Sequence, residues 1–182
     1  MTSTAPYTLA DMNDFPDDGR RYELLDGALL VTPAPRERHH VVAAALFRLL
    51  DAARPRDMLV YPAPSNVNRE PSTNLQPDLS VRWRADFERA ANETTPLLVI
   101  EILSPSTRRV DELLKRDAYA RIGVPSYWLV DPDEPVTLTV LELESPGQYV
   151  ERARVRADQP CEVVQPYPLR IVPSTLLADL RD

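Results

Sequence analysis

Glu101 lies within the run Leu97-Leu98-Val99-Ile100-Glu101-Ile102-Leu103, in which every other side chain is apolar. An isolated carboxylate there faces a large desolvation cost unless a paired cation or a metal ion compensates it. A core arginine would serve, and so would a divalent ion. Asp78, in Pro77-Asp78-Leu79-Ser80-Val81, stands at the entry of another strand, where a proline is tolerated. Two neighbouring strands can bring such carboxylates to one sheet edge, and hard oxygen ligands suit Mg²⁺ or Mn²⁺. Alternation places Glu101 on the face of Leu97, Val99 and Leu103.

These residues need elements to hold them. Tyr22 to Thr32 reads as a hairpin turning at Asp26-Gly27, a pair that tolerates positive φ. Val42, Ala45, Leu46, Leu49, Leu50 and Ala53 recur at intervals of three and four, which predicts a helix over about Arg38 to Ala53 with His39 on its core-facing side. Met58 to Tyr61 reads as a short strand followed by a polar loop, and Leu97 to Leu103 as a central strand covered by helices on both faces. A second helix, about Arg108 to Ile122, places Val110, Leu113, Leu114, Ala118 and Ile122 at core spacing and stops before Gly123 and Pro125. Tyr127 to Asp131 follows as a strand. Thr137 to Glu142 and Gln148 to Arg156 form a C-terminal hairpin, and Leu176 to Leu180 a short closing helix. The order predicts an α/β chain in the broad sense, a mixed sheet flanked by helices, in one domain over 1–182.

Composition narrows the setting. The 28 acidic and 21 basic residues leave a net charge of −7, which argues against a broad, non-specific grip on nucleic acid. Local basic patches remain at Arg82, Arg84 and Arg89, and at Arg108, Arg109, Lys115 and Arg116, each with a solvated face as the plain alternative. The single cysteine, Cys161, permits no internal disulfide, so a reducing cytoplasm is expected, and no apolar run is long enough to span a membrane.

The stretches Pro77-Asp78, Val99-Ile100-Glu101-Ile102-Leu103-Ser104-Pro105-Ser106-Thr107, Tyr119, Gly123-Val124-Pro125 and Tyr127-Trp128-Leu129-Val130-Asp131-Pro132 resemble the Uma2 family of restriction-endonuclease-like proteins. Tyr22-Glu23-Leu24-Leu25-Asp26-Gly27 and His39 fit it too. The resemblance covers roughly Tyr7 to Asp133. It implies the PD-(D/E)XK core, here with an N-terminal hairpin and a C-terminal hairpin extension, and metal-dependent cleavage of phosphodiester bonds in DNA. The nuclease pattern places a lysine two residues after the acidic one, where this chain has Leu103. The resemblance moves that role to Lys115, the only lysine among the 21 basic residues.

On this reading Asp78 and Glu101 hold Mg²⁺ or Mn²⁺, the backbone carbonyl of Ile102 adds a ligand, and Lys115 orients or helps deprotonate a water. The plain alternative for Lys115 is a surface pair with Asp111. Glu23 is a candidate to approach the metal or its waters, with a cross-strand pair as its alternative. His39 is a candidate ligand or proton carrier against a satisfied structural histidine, and Tyr119 a support for Lys115 against simple packing. A homodimer would offer two sites to two strands. Two other classes compete with the enzyme: a protein that keeps the fold and binds nucleic acid or a partner without cutting, and a dimerisation module.

Overall fold

The computed structural model describes residues 6–180, so the extreme ends of the expected 1–182 span lie outside the described residues. Its principal sheet has six strands. In spatial order they are β10 (Gln148–Arg156), β9 (Thr137–Ser145), β8 (Ser126–Asp131), β7 (Leu98–Ile102), β6 (Leu79–Trp83) and β3 (Met58–Pro62). Only the β7 and β8 pair is parallel. That parallel pair needs a crossover, and the helical segment between the two strands supplies it. The architecture is a mixed α+β sheet, with β7 at its centre as its apolar composition requires.

One face of this sheet is covered by α1 (Glu37–Ala53). Val42, Leu46 and Leu50 are fully buried there against Leu98, Ile100 and Ile102 of β7. Each such side chain contributes roughly 1.5–3 kcal/mol by leaving water, enough to seat the helix without a side-chain cap. Leu97, just ahead of β7, packs with this cluster and not on the face of Glu101.

The opposite face is covered by the crossover and by a second, four-stranded antiparallel sheet. Its strands run in the order β2 (Ala28–Thr32), β1 (Arg21–Leu25), β5 (Thr73–Leu75) and β4 (Val67–Glu70). Central β7 is therefore flanked by a helix on one side and by helix plus sheet on the other. The expected polar loop after β3 contains β4 and β5, strands too short to carry a readable alternation. A two-stranded ribbon, β11 (Cys161–Val163) and β12 (Leu169–Ile171), follows the C-terminal hairpin, and helical turns over Pro173–Leu180, broken at Leu177, pack against α1.

The crossover departs from expectation in a way that matters. Instead of one α-helix over Arg108 to Ile122, Val110–Lys115 forms a π-helical turn that runs into α2 (Arg116–Ile122). Leu113 and Leu114, assigned to the core by their spacing, are 55% and 51% exposed, whereas Asp111 and Lys115 are buried. Positions four apart share a helix face, and here the pair facing inward is the charged one. Buried carboxylates on the neighbouring strands draw Lys115 in and turn the leucines out. The helix ends where expected, with Gly123 at φ +88° and its N–H and that of Val124 donating to the carbonyl of Tyr119.

Most of the arginines in the two basic patches are tied to acceptors within the fold. Arg82 is buried and donates to Thr94, Ser65 and the Asn66 carbonyl, while Arg89 pairs with Asp86 and Glu93. Arg108 pairs with Asp131, and Arg116 donates to the Tyr149 carbonyl. Cys161 is buried in the α1-side core, and burial pushes its thiol up, away from reactivity. No described helix is long and apolar enough to cross a membrane.

The hairpin joining β1 and β2 turns at Asp26 and Gly27, with φ +50° and +80°. A Cβ at Gly27 would also run into Pro6. Gly19 has a similar φ of +77° with open space around it. Gly27→Ala is therefore expected to lower stability by more than the ~1 kcal/mol conformational cost that Gly19→Ala carries, measured by urea unfolding of both variants.

Candidate metal and phosphodiester site

Four carboxylates converge between the two sheets: Glu23 from β1, Asp78 just before β6, Glu101 from β7 and Asp111 from the π-helical turn. Each is no more than 5% exposed. Lys115 sits in their midst, itself 3% exposed. Its Nζ lies 3.0 Å from Glu23 Oε1, 3.1 Å from Glu101 Oε1 and 3.5 Å from Asp111 Oδ1. The expected pair with Asp111 thus exists, but as one edge of a buried cluster and not on the surface. The cross-strand explanation of Glu23 fails, because its partner across the hairpin is Leu30. Glu23 Oε1 instead accepts from Lys115 and, at 2.7 Å, from the Gln76 N–H.

Glu101 is compensated by Lys115 and by Tyr119, whose hydroxyl donates to the same Oε1 at 2.9 Å. No arginine bonds it among the described residues. Burial pushes the Glu101 carboxyl well above its ordinary range; Lys115 opposes this, while Asp111, Asp78 and Glu23 add to it. Burial alone would lower the Lys115 ammonium, yet Glu101, Glu23 and Asp111 together hold it above the usual lysine value. These partners favour its charged form. Behind it, Tyr119, Tyr127 and Tyr149 stack with centroids 5.2 and 5.8 Å apart, and the Tyr127 hydroxyl donates to the Asp111 carbonyl.

Asp78 is held differently. Its Oδ2 accepts from the Ile102 N–H at 2.7 Å and from His39 Nε2 at 3.0 Å, and its Oδ1 accepts from Arg21 at 3.0 Å. Burial raises this carboxyl, but His39, Arg21 and the Ile102 amide outweigh it, so Asp78 stays below the usual carboxylate range. The backbone makes this possible: β6 pairs with β7 only as far as Leu79 and Ile100, leaving the Ile102 N–H beyond the ladder for Asp78 to cap. The N–H and C=O of a strand residue point to the same edge, so the Ile102 carbonyl faces the same side. His39, on the first turn of α1, reaches Asp78, while its Nδ1 is buried with no protein partner among the described residues.

These groups line a cavity of about 410 Å³, bounded also by Arg36, Arg38, the Ser104 to Thr107 loop and Pro132. Two groups escaped notice from sequence as site residues. Arg21 precedes Glu23 by two on one strand and so shares its face, a signal that alternation alone carries. Asp111 was visible only as a surface partner for Lys115.

The donor set fits a hard divalent cation in chemistry, because its side-chain donors are carboxylate oxygens. Four buried carboxylates face two cations, Lys115 and Arg21, and burial pushes two of the four, Glu101 and Asp111, toward their protonated forms. Among the described residues no three His, Cys, Asp or Glu side chains form a ready ligand cage. Mg²⁺ needs none, since it commonly takes one or two carboxylates and fills its shell with waters and substrate phosphate.

Burial, with Asp78 and Glu23 adding to it and Lys115 and Thr107 opposing, raises the Asp111 carboxyl to about 6. A carboxyl whose folded pKa exceeds its unfolded one contributes stability that is complete below the unfolded value near 3.8 and is lost as pH rises through about 6. Asp111→Asn is therefore expected to be more stable than wild type at about pH 8, by on the order of 2–3 kcal/mol, with the gain shrinking at about pH 5. Thermal unfolding in a chelator at both pH values checks this.

The chain matches the Uma2 family, described as "Putative restriction endonuclease", over residues 9–171. Among solved structures it is similar to the crystal structure of a putative nuclease belonging to DUF820 from Anabaena variabilis ATCC 29413. The two are 21% identical, the match covers 97% of this chain and 100% of that one, and the TM-score is 0.75. A likeness at this identity shows a shared fold. No curated protein matches the chain. Since the family match spans nearly the whole chain and includes every residue of the carboxylate cluster, the chain belongs to the Uma2 family.

Proposed function

We propose that this protein is an Mg²⁺- or Mn²⁺-dependent endonuclease that hydrolyses phosphodiester bonds of DNA. The observation that carries the reading is the set of buried carboxylates, Glu23, Glu101 and Asp111 around Lys115 with Asp78 beside them, lining one cavity. Membership of a family described as "Putative restriction endonuclease", and the similarity to a structure described as a "putative nuclease", support the same class.

Asp78 and Glu101 are the side chains that would hold the ion, with the Ile102 carbonyl beside them. When bound, it would acidify a water and offset charge on the attacked phosphate. The protein's own groups prepare that task. Ile102 N–H and His39 keep Asp78 ionised and oriented. Tyr119 and Lys115 fix Glu101 through one oxygen, and Glu23 and Asp111 hold Lys115 charged. Lys115, held in its charged form by these partners, is placed to orient the attacking water and to stabilise negative charge. Two copies of the chain acting in the cytoplasm on opposite strands would suit a duplex substrate. A second reading, a protein that keeps the fold without cutting, is favoured by Arg89 and Arg108, whose charges are taken up by Asp86 and Asp131 and so are less available to DNA.

Calorimetric titration of Mn²⁺ is expected to show stoichiometric binding that disappears in Asp78→Asn, whose fold is checked by circular dichroism. Glu101→Gln is expected to keep the fold and lose cleavage of plasmid DNA by about 10²-fold or more. Wild type that binds no Mn²⁺, even beside a DNA oligonucleotide, would overturn the metal mechanism and leave the non-cutting reading in its place.

A further inference from the structure

Asp78 has one committed oxygen and one that is not. Oδ2 is taken by the Ile102 N–H and by His39, whereas Oδ1 accepts only from Arg21 among the described residues. The oxygen available to an incoming ion is thus the one that a side-chain cation already occupies. Arg21 spends a single nitrogen on this. Its Nη1 donates to Asp78 Oδ1 at 3.0 Å and to the Gln76 carbonyl at 3.1 Å, while Nε and Nη2 have no protein acceptor among the described residues. The side chain is 21% exposed and lines the same cavity as Glu101 and Lys115.

The two other arginines of that cavity are placed otherwise. Arg38 donates to the Pro132 carbonyl at 3.3 Å, and Arg36 is exposed at the rim. Arg21 alone of the three touches a carboxylate of the cluster. Its open edge, Nε with Nη2, is the planar fork that matches two oxygens of a phosphate.

Resting on the nuclease reading above, we propose that Arg21 is a positioning residue for the substrate phosphodiester. In the metal-free protein it fills the cation's place at Asp78. A divalent ion held by Asp78 would compete with Nη1 for that carboxylate, and the released guanidinium would be free to turn its fork to the phosphate that enters the same cavity. One residue thereby links metal occupancy to substrate grip, and its removal should move the two affinities in opposite directions.

The test uses wild type, Arg21→Ala and Arg21→Lys, with Mn²⁺ binding measured by calorimetry without DNA. Binding of a phosphorothioate DNA duplex, which resists hydrolysis, is then measured by anisotropy in saturating Mn²⁺. Arg21→Ala is expected to bind Mn²⁺ several-fold more tightly, because a competitor for Asp78 is gone, and to bind the duplex roughly 10-fold more weakly, since a charge-assisted hydrogen-bond pair is lost. Arg21→Lys keeps the charge without the fork and is expected to recover little of the duplex affinity. Loss of both affinities in Arg21→Ala would mean that Arg21 merely holds Asp78 in place, and unchanged duplex affinity would put the phosphate elsewhere. Should Arg21→Ala fail to fold, Arg21→Lys decides, because duplex binding equal to wild type refutes the fork. Wild type without Mn²⁺ affinity removes the metal reading itself, an outcome distinct from any confined to the variants.

Discussion

A single ammonium group ties the molecule's parts together. Lys115 receives its carboxylate partners from three elements: Glu23 from β1 of the small sheet, Glu101 from β7 of the large one, and Asp111 from its own helical turn. Taking these charges out of water costs several kcal/mol per ion, and only close, multiple pairing offsets that. The packing of small sheet against large sheet on this side is therefore tied to an electrostatic arrangement as well as to the apolar contacts of Leu25, Val67, Leu75 and Val99. The same demand explains the π-helical turn. A regular stripe would have buried Leu113 and Leu114, but the ladder widens so that Asp111 and Lys115 face inward together.

A second constraint is the stagger of β6 on β7. Had their pairing continued two residues further, the Ile102 N–H would have met a backbone carbonyl instead of the Asp78 carboxylate. Where the ladder stops short, a side chain completes it, and the acid that does so is fixed in charge and direction by a main-chain donor. Asp78 is kept ionised while Glu101 is pushed toward its proton, so two carboxylates in one cavity stand in opposite electrostatic conditions. That contrast follows from partners: amide, imidazole and guanidinium for one, a shared ammonium and a phenol for the other.

Much of this was legible in the residues. The apolar run around Glu101, the Asp-Gly turn and the spacing of Val42, Leu46 and Leu50 led to β7, the first hairpin and α1, and together with the family resemblance they singled out Glu23, Asp78, Glu101 and Lys115. What escaped depends on contacts between distant segments. The inward turn of Asp111 is invisible to a periodicity argument, because periodicity ranks leucine above aspartate for the core and cannot see three carboxylates waiting there. Strands β4 and β5 are too short for alternation and exist because β1 offers an edge to β5, and β5 in turn to β4. The basic clusters looked like surface patches since the partners Thr94, Asp131 and Tyr149 lie 12 to 33 positions away.

The outward leucines carry a consequence for how the site breathes. A segment seated by charge, with Leu113 and Leu114 in solvent, gains little from the hydrophobic effect on closing. Its attachment weakens with salt, or as rising pH ionises Asp111, before the α1-side core does. The residues from Val110 to Lys115 thus belong to the low end of the protein's local stability, and their amides should exchange with solvent through a partial opening that leaves the rest of the sheet closed. The helical wall of the carboxylate-lined cavity is, in this sense, a hinge whose latch is ionic.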